Sequence, residues 1–139
     1  PIMRIKDNMA LAPYEFSING EKHILESKND IKKWICEHFE YNLSYSYEQL
    51  KRQHKFECIC QRSVPAAIIC WLNADSYEDG IRKAVSLGGD ADTEAAITGA
   101  FLNADKNTEV SDDFAKEVTR FFNMDFMNVL NKFHNQFEV

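Results

Sequence analysis

A chain of 139 residues, 45% hydrophobic and 27% charged, holds enough apolar side chain for one real core and too much for a disordered polymer. Its net charge of -6 and pI of about 5.2 give a field that repels polyphosphates, and the densest basic stretch, Lys51-Arg52-Gln53-His54-Lys55, reads as the solvated end of a helix; no nucleic-acid partner is expected. No apolar run approaches the roughly 20 residues a bilayer span needs, and no secretion signal opens the chain, so no membrane association and a cytoplasmic setting are expected.

Residues 1–26 read as a separate arm. Tyr14-Glu15-Phe16-Ser17-Ile18 and Glu21-Lys22-His23-Ile24-Leu25 flank Asn19-Gly20, a pair that takes positive φ easily, so the arm is expected to be hairpin-like or irregular. From residue 27 to 139 the apolar spacing is helical, and a single helical domain is expected. Behind the candidate caps Ser27 and Asn29, Ile31, Trp34, Ile35, His38 and Phe39 recur at steps of three and four. Ser46-Tyr47-Glu48-Gln49 has capping-box spacing and starts a short helix ending near His54.

Ser63-Val64-Pro65 fits a helix start, because proline is tolerated in the first turn, where its missing N–H is not needed. Ala67, Ile68, Ile69, Cys70, Trp71 and Leu72 then make a stripe wide enough for a central helix. Ser76 caps the next helix, with Tyr77, Ile81, Ala84, Val85 and Leu87 as its expected buried face, and Gly88-Gly89 stops it. A helix from Asp92 to Ala104 is expected to bury Ala96, Ile97, Ala100 and Phe101, and its small residues, Gly99 among them, should let neighbours approach closely. Two helices close the chain, from Ser111 to about Phe122 and from Asp125 to about Phe137. The fold class is therefore all-α, a bundle or orthogonal array of helices with short links. Cys36, Cys58, Cys60 and Cys70 include no C-x-x-C pair and are expected to be buried free thiols.

The chemistry-bearing stretch is Ser86-Leu87-Gly88-Gly89-Asp90-Ala91-Asp92-Thr93, where two carboxylates and a hydroxyl crowd a helix junction. Hard divalent cations prefer oxygen ligands of this kind, and paired glycines let the chain turn sharply enough for Asp90 and Asp92 to converge. The competing reading makes Asp92 or Thr93 an N-cap and Asp90 a solvated turn residue. A calcium loop counted from Asp90 would need glycine and glutamate where Ala95 and Phe101 stand, and a phosphatase-type Asp-x-Asp-x-Thr would need threonine where Glu94 stands.

The run Val64-Pro65-Ala66-Ala67, with Tyr77-Glu78-Asp79-Gly80-Ile81 and Gly88-Gly89-Asp90-Ala91-Asp92-Thr93-Glu94-Ala95-Ala96-Ile97-Thr98-Gly99-Ala100, resembles the carboxyl-terminal signature of the ADP-ribosylglycohydrolases. The resemblance implies an all-helical fold and a site with two Mg²⁺ or Mn²⁺ ions that binds the ribose hydroxyls and the hydrolytic water. It implies cleavage of the glycosidic bond between ADP-ribose and a modified residue, so the implied partner is an ADP-ribosylated protein or ADP-ribose. On the matching positions Asp90 and Asp92 would serve catalysis, and Asp90, Asp92 and Thr93 would be the metal ligands; no further cofactor is implied.

The chain departs from that pattern in three ways. The Thr-Asp-Asp triplet expected ahead of the matched segment is missing, and Ser111-Asp112-Asp113 lies on the wrong side of it and reads as a helix cap. Arg62 replaces a glycine, which would narrow the site. Glu94 replaces an aliphatic residue, which would either add a carboxylate near the metals or face solvent. The chain is accordingly expected to carry part of a dinuclear site, completed by another segment or by a homo-oligomer. The alternative is a non-catalytic relative that binds ADP-ribose or a protein.

Overall fold

The computed structural model describes residues 12–56 and 58–137. The chain forms two compact units, residues 1–109 and residues 110–139. In the first, a hairpin of β1 (Tyr14–Ile18) and β2 (Glu21–Leu25) precedes α1 (Lys28–His38), α2 (Tyr47–Gln53), α3 (Cys60–Leu72), α4 (Tyr77–Ser86) and α5 (Ala91–Ala104). The second unit holds α6 (Asp112–Thr119) and α7 (Met124–Phe137), with Phe122 packed on Phe126 and Phe133 on Phe137. The all-α expectation holds, the hairpin being the one sheet among the described residues. No helix among them is long and apolar enough to cross a membrane.

Local chemistry sets most element starts. Asn19 and Gly20 take φ values of 52° and 84°, the double positive φ that matches the twist of a two-residue hairpin, and Tyr14 pairs with Leu25 and Ile18 with Glu21 across the ladder. The side chains of Ser27, Ser46, Ser76 and Ser111 each accept a backbone N–H of the following helix, and at α2 Gln49 returns the bond to Ser46, completing a capping box. The helix at Pro65 starts earlier than expected. Residues 60–63 already turn, because the N–H groups of Arg62 and Ser63 both bond to the carbonyl of Ile59, so Pro65 sits inside α3.

α3 is the central element: Ala66, Ala67, Ile68, Ile69, Cys70 and Trp71 are all buried. α4 and α5 pack on it and on each other through glycines. A methyl at Gly80 would stand 2.6 Å from Leu102 Cδ1, and one at Gly99 would stand 3.2 Å from Ile81 Cδ1. The expected buried face of α5 was rotated from the real one. Glu94, Thr98 and Leu102, four residues apart, face inward, whereas Ala96 and Ala100 are exposed and Ile97 and Phe101 half-buried. Two polar residues fill that inner stripe, so hydrophobicity alone selects the wrong side of the helix. On α4, Val85 likewise faces outward at 53% exposure. Cys36, Cys58 and Cys60 are exposed and only Cys70 is buried, because the first three lie on an outer helix face or at the α3 start, away from the packed stripe.

The end of α5 is tied down by Asp105, whose carboxylate is buried and well satisfied. Its oxygens accept from Trp71 Nε1 at 3.1 Å, Asn107 N at 2.9 Å and Tyr14 Oη at 3.4 Å, with Lys28 Nζ at 3.9 Å. Asn107 in turn exchanges two hydrogen bonds with the backbone of Ala12, and Lys28 donates to the carbonyls of Trp71 and Ala74. One carboxylate thus joins hairpin, α1, α3 and α5. Asp105→Ala would strand the buried Trp71 indole N–H and leave the Tyr14 hydroxyl and Asn107 N–H without this acceptor, and the expected cost is about 3 kcal/mol. Urea unfolding should show a lower midpoint with an unchanged slope; a shift under about 0.5 kcal/mol would show that the network adds little.

Candidate functional site

Gly88 and Gly89 follow the last turn of α4 with φ values of 78° and 72°. Two consecutive residues in the left-handed region are strained for anything but glycine, so this turn depends on the pair. The reversal sets Asp90 at the N-cap of α5, with φ −84° and ψ 63°. Its side chain makes no capping hydrogen bond, although aspartate is among the best capping residues. Its carboxyl lies near enough to that of Asp92 to influence it.

That proximity sets the electrostatics. The Asp90 side chain, followed by hydrogen bonds from the backbone N–H groups of Thr93 and of Asp92 itself, holds the exposed Asp92 carboxyl below the usual carboxylate range. Asp92 Oδ1 accepts the Thr93 N–H at 3.0 Å. Asp90 is half-buried, whereas Asp92 and Thr93 are exposed at the start of α5, where the positive end of the helix favours negative charge. The three residues predicted from sequence are therefore neighbours on one side of a single turn. The competing reading made Asp92 or Thr93 the N-cap and Asp90 a solvated turn residue; Asp92 and Thr93 lie inside α5, and the half-buried Asp90 holds the N-cap position without a capping bond.

Adjacent carboxylates repel when both are ionised, and they need a shared proton or a cation between them. Exposed oxygen donors at this spacing fit a hard divalent ion. Among the described residues no group of three or more His, Cys, Asp or Glu side chains is arranged to hold a metal ion.

Glu94 does not face solvent. It is 0% exposed, buried one turn along α5 from Asp90, and its Oε1 lies 2.8 Å from Nε2 of His54. The approach is off the line of a well-formed hydrogen bond, and the contact is an ion pair only when the imidazole carries a proton and the carboxyl does not. Burial, and after it the charge of Asp90, pushes the Glu94 carboxyl up to about 7. On its other side stands Cys70, whose thiol is pushed up to about 12 by burial and then by the charge of Glu94, which makes it an inert core group rather than a nucleophile. Sequence reasoning passed over His54 because its partner lies 40 positions away, with no periodicity linking them. The one signal was a carboxylate on the stripe of Thr98 and Leu102.

His54 also borders a cavity of about 340 Å³ whose rim includes Asn42, Tyr45, Lys55, Gln61 and Arg62. Arg62, predicted to narrow a site, is exposed at this rim.

The model of a protein family described as ADP-ribosylglycohydrolase matches residues 16–124, well over half of the chain. No curated protein and no solved structure matches it.

The raised Glu94 group gives a pH dependence with a definite sign. An unfolded glutamate titrates near 4.5 and this one near 7, so between those values the folded chain holds a proton that the unfolded chain has lost. Stability is therefore fully present below the unfolded value and falls as pH rises toward the folded one. In metal-free buffer, the urea midpoint of the parent protein should decline more steeply from about pH 5 to about pH 7.5 than that of Glu94→Gln, which has no such proton. Parallel profiles would show that Glu94 titrates normally.

Proposed function

Because the chain belongs to the ADP-ribosylglycohydrolase family, we propose that it carries part of the metal site of an enzyme that hydrolyses the glycosidic bond between ADP-ribose and a modified residue. Asp90, Asp92 and Thr93 are the ligands this chain contributes to Mg²⁺ or Mn²⁺, two ions being held in the complete site. The single observation that carries the reading is the choice made by Asp90. At a helix N-cap it leaves the capping bond unmade, so its carboxylate oxygens stand free beside Asp92 and Thr93 at the positive end of α5.

The chain's own residues do three things in this reading. Gly88 and Gly89 reverse the backbone so that Asp90 and Asp92 point together instead of diverging along a helix. The start of α5 adds the field of its free N–H groups, which favours negative charge beside it. Thr93 stands next in line, with its backbone N–H tied to Asp92 so that the turn is held. When bound, the ions supply Lewis-acid polarisation of the sugar oxygens and of the attacking water. ADP-ribosylated protein or ADP-ribose is the ligand, and the remaining donors come from another segment or from a second copy of the chain. Asp112 and Asp113 open α6 behind the Ser111 cap, which supports a structural role for them.

Titration calorimetry with Mn²⁺ tests the assignment directly. The parent chain should bind weakly and saturably, and Asp90→Ala with Asp92→Ala should lose at least about tenfold in affinity. Equal heats from the two proteins would overturn it. Release of ADP-ribose from modified arginine and serine peptides separates a partial site from a complete one: no turnover is expected of the 139-residue chain alone, and robust turnover would show that it needs no further donors. Binding of ADP-ribose with no metal dependence would favour a non-catalytic relative.

A further inference from the structure

The metal chemistry proposed above makes no use of the buried His54–Glu94 pair, yet that pair lies directly beneath the turn on which the chemistry depends. His54 ends α2, its N–H bonded to the carbonyl of Leu50 at 2.8 Å. Its imidazole meets two things at once. One is Glu94 Oε1 at 2.8 Å, with side-chain exposures of 7% for the histidine and 0% for the glutamate. The other is the hinge: a methyl built on Gly89 would stand 3.0 Å from His54 Nε2 and 3.3 Å from the carbonyl oxygen of Lys55. Gly89 therefore rests flush on the His54-Lys55 segment. Glu94 completes the loop of contacts, because its own N–H donates to the carbonyl of Asp90 at 3.0 Å.

We propose that His54 and Glu94 are positioning residues, the pair clamping the His54-Lys55 segment against Gly89 and thereby fixing the direction in which Asp90 leaves the turn. The inference rests on the reading of Asp90 and Asp92 as metal ligands for its consequence, though not for its geometry. Stability alone is a poor reason for the pair. Two apolar side chains of the same volume fill such a space without the desolvation cost of burying charge, and removing a buried ion pair in favour of them is often neutral or stabilising. What an apolar pair lacks is the attraction between imidazole and carboxyl that holds the ring 2.8 Å from Glu94. The ring held there forms the floor of the hinge, as groups behind metal ligands generally do.

The test compares three proteins: the parent chain, the double variant His54→Leu with Glu94→Leu, and Glu94→Gln, which keeps a polar group of the same shape against the histidine. Hydrogen exchange of the amides from Gly88 to Thr93, measured without metal, reads the hinge; the urea midpoint reads global stability; Mn²⁺ titration reads the consequence. The double variant should keep its urea midpoint while its hinge amides exchange about tenfold faster and its Mn²⁺ affinity falls about tenfold. Glu94→Gln should stay within about twofold of the parent in both. A folded double variant with parent-like exchange at the hinge would overturn the proposal. Should the double variant fail to fold, Glu94→Met takes its place under the same exchange criterion. If the parent chain binds no Mn²⁺, the metal assignment fails, while the exchange comparison still decides the positioning claim.

Discussion

Two consecutive glycines with positive φ are the constraint on which the rest of the site depends. Any other residue at Gly88 or Gly89 would meet its own carbonyl in the left-handed region, and at Gly89 it would also meet the imidazole of His54. The turn they make has two effects. It lets α5 fold back on α4 closely enough for Gly80 and Gly99 to take the place of side chains in the contact. It also ends with Asp90 at the N-cap position of α5, its side chain making no capping bond to that helix. The core and the carboxylate pair are thus products of the same reversal.

The polar interior follows from that packing. With α3, α4 and α5 in close contact, the inner stripe of α5 cannot be left half-wet, and it carries Glu94, Thr98 and Leu102. Each polar member finds a way to be buried. The Thr98 hydroxyl donates to the carbonyl of Glu94 at 2.8 Å, which closes its polar group onto its own helix. Glu94 takes the imidazole of His54. Asp105, one turn past the end of the stripe, gathers donors from three other elements. The inner stripe of the helix that bears the candidate ligands is therefore largely polar, and each of its polar side chains is held by a partner.

Where chemistry is local, the sequence was legible. Asn19-Gly20 has almost one use between alternating strands, and the Ser46 to Gln49 spacing specifies a reciprocal cap whatever surrounds it. Gly88-Gly89 announced the turn, and Asp90, Asp92 and Thr93 lie where that turn would bring them. Reading failed where a distant partner decides the outcome. The burial of α5 came out on the wrong face because Glu94 and Thr98 look solvent-bound until His54 and the carbonyls of α3 and α5 are brought to them. Pro65 was taken for a helix start because nothing near it shows that Ile59 already accepts two N–H groups. Asp105 drew no notice at all, since its donors come from positions as far off as Tyr14 and Lys28.

Crystals of the chain grown with Mn²⁺ and measured for anomalous scattering test the central claim most directly. The account predicts an anomalous peak at about 2.1–2.3 Å from carboxylate oxygens of both Asp90 and Asp92, with the Gly88-Gly89 backbone unchanged. A map with no peak there, and the two carboxylates turned apart into solvent, would contradict it.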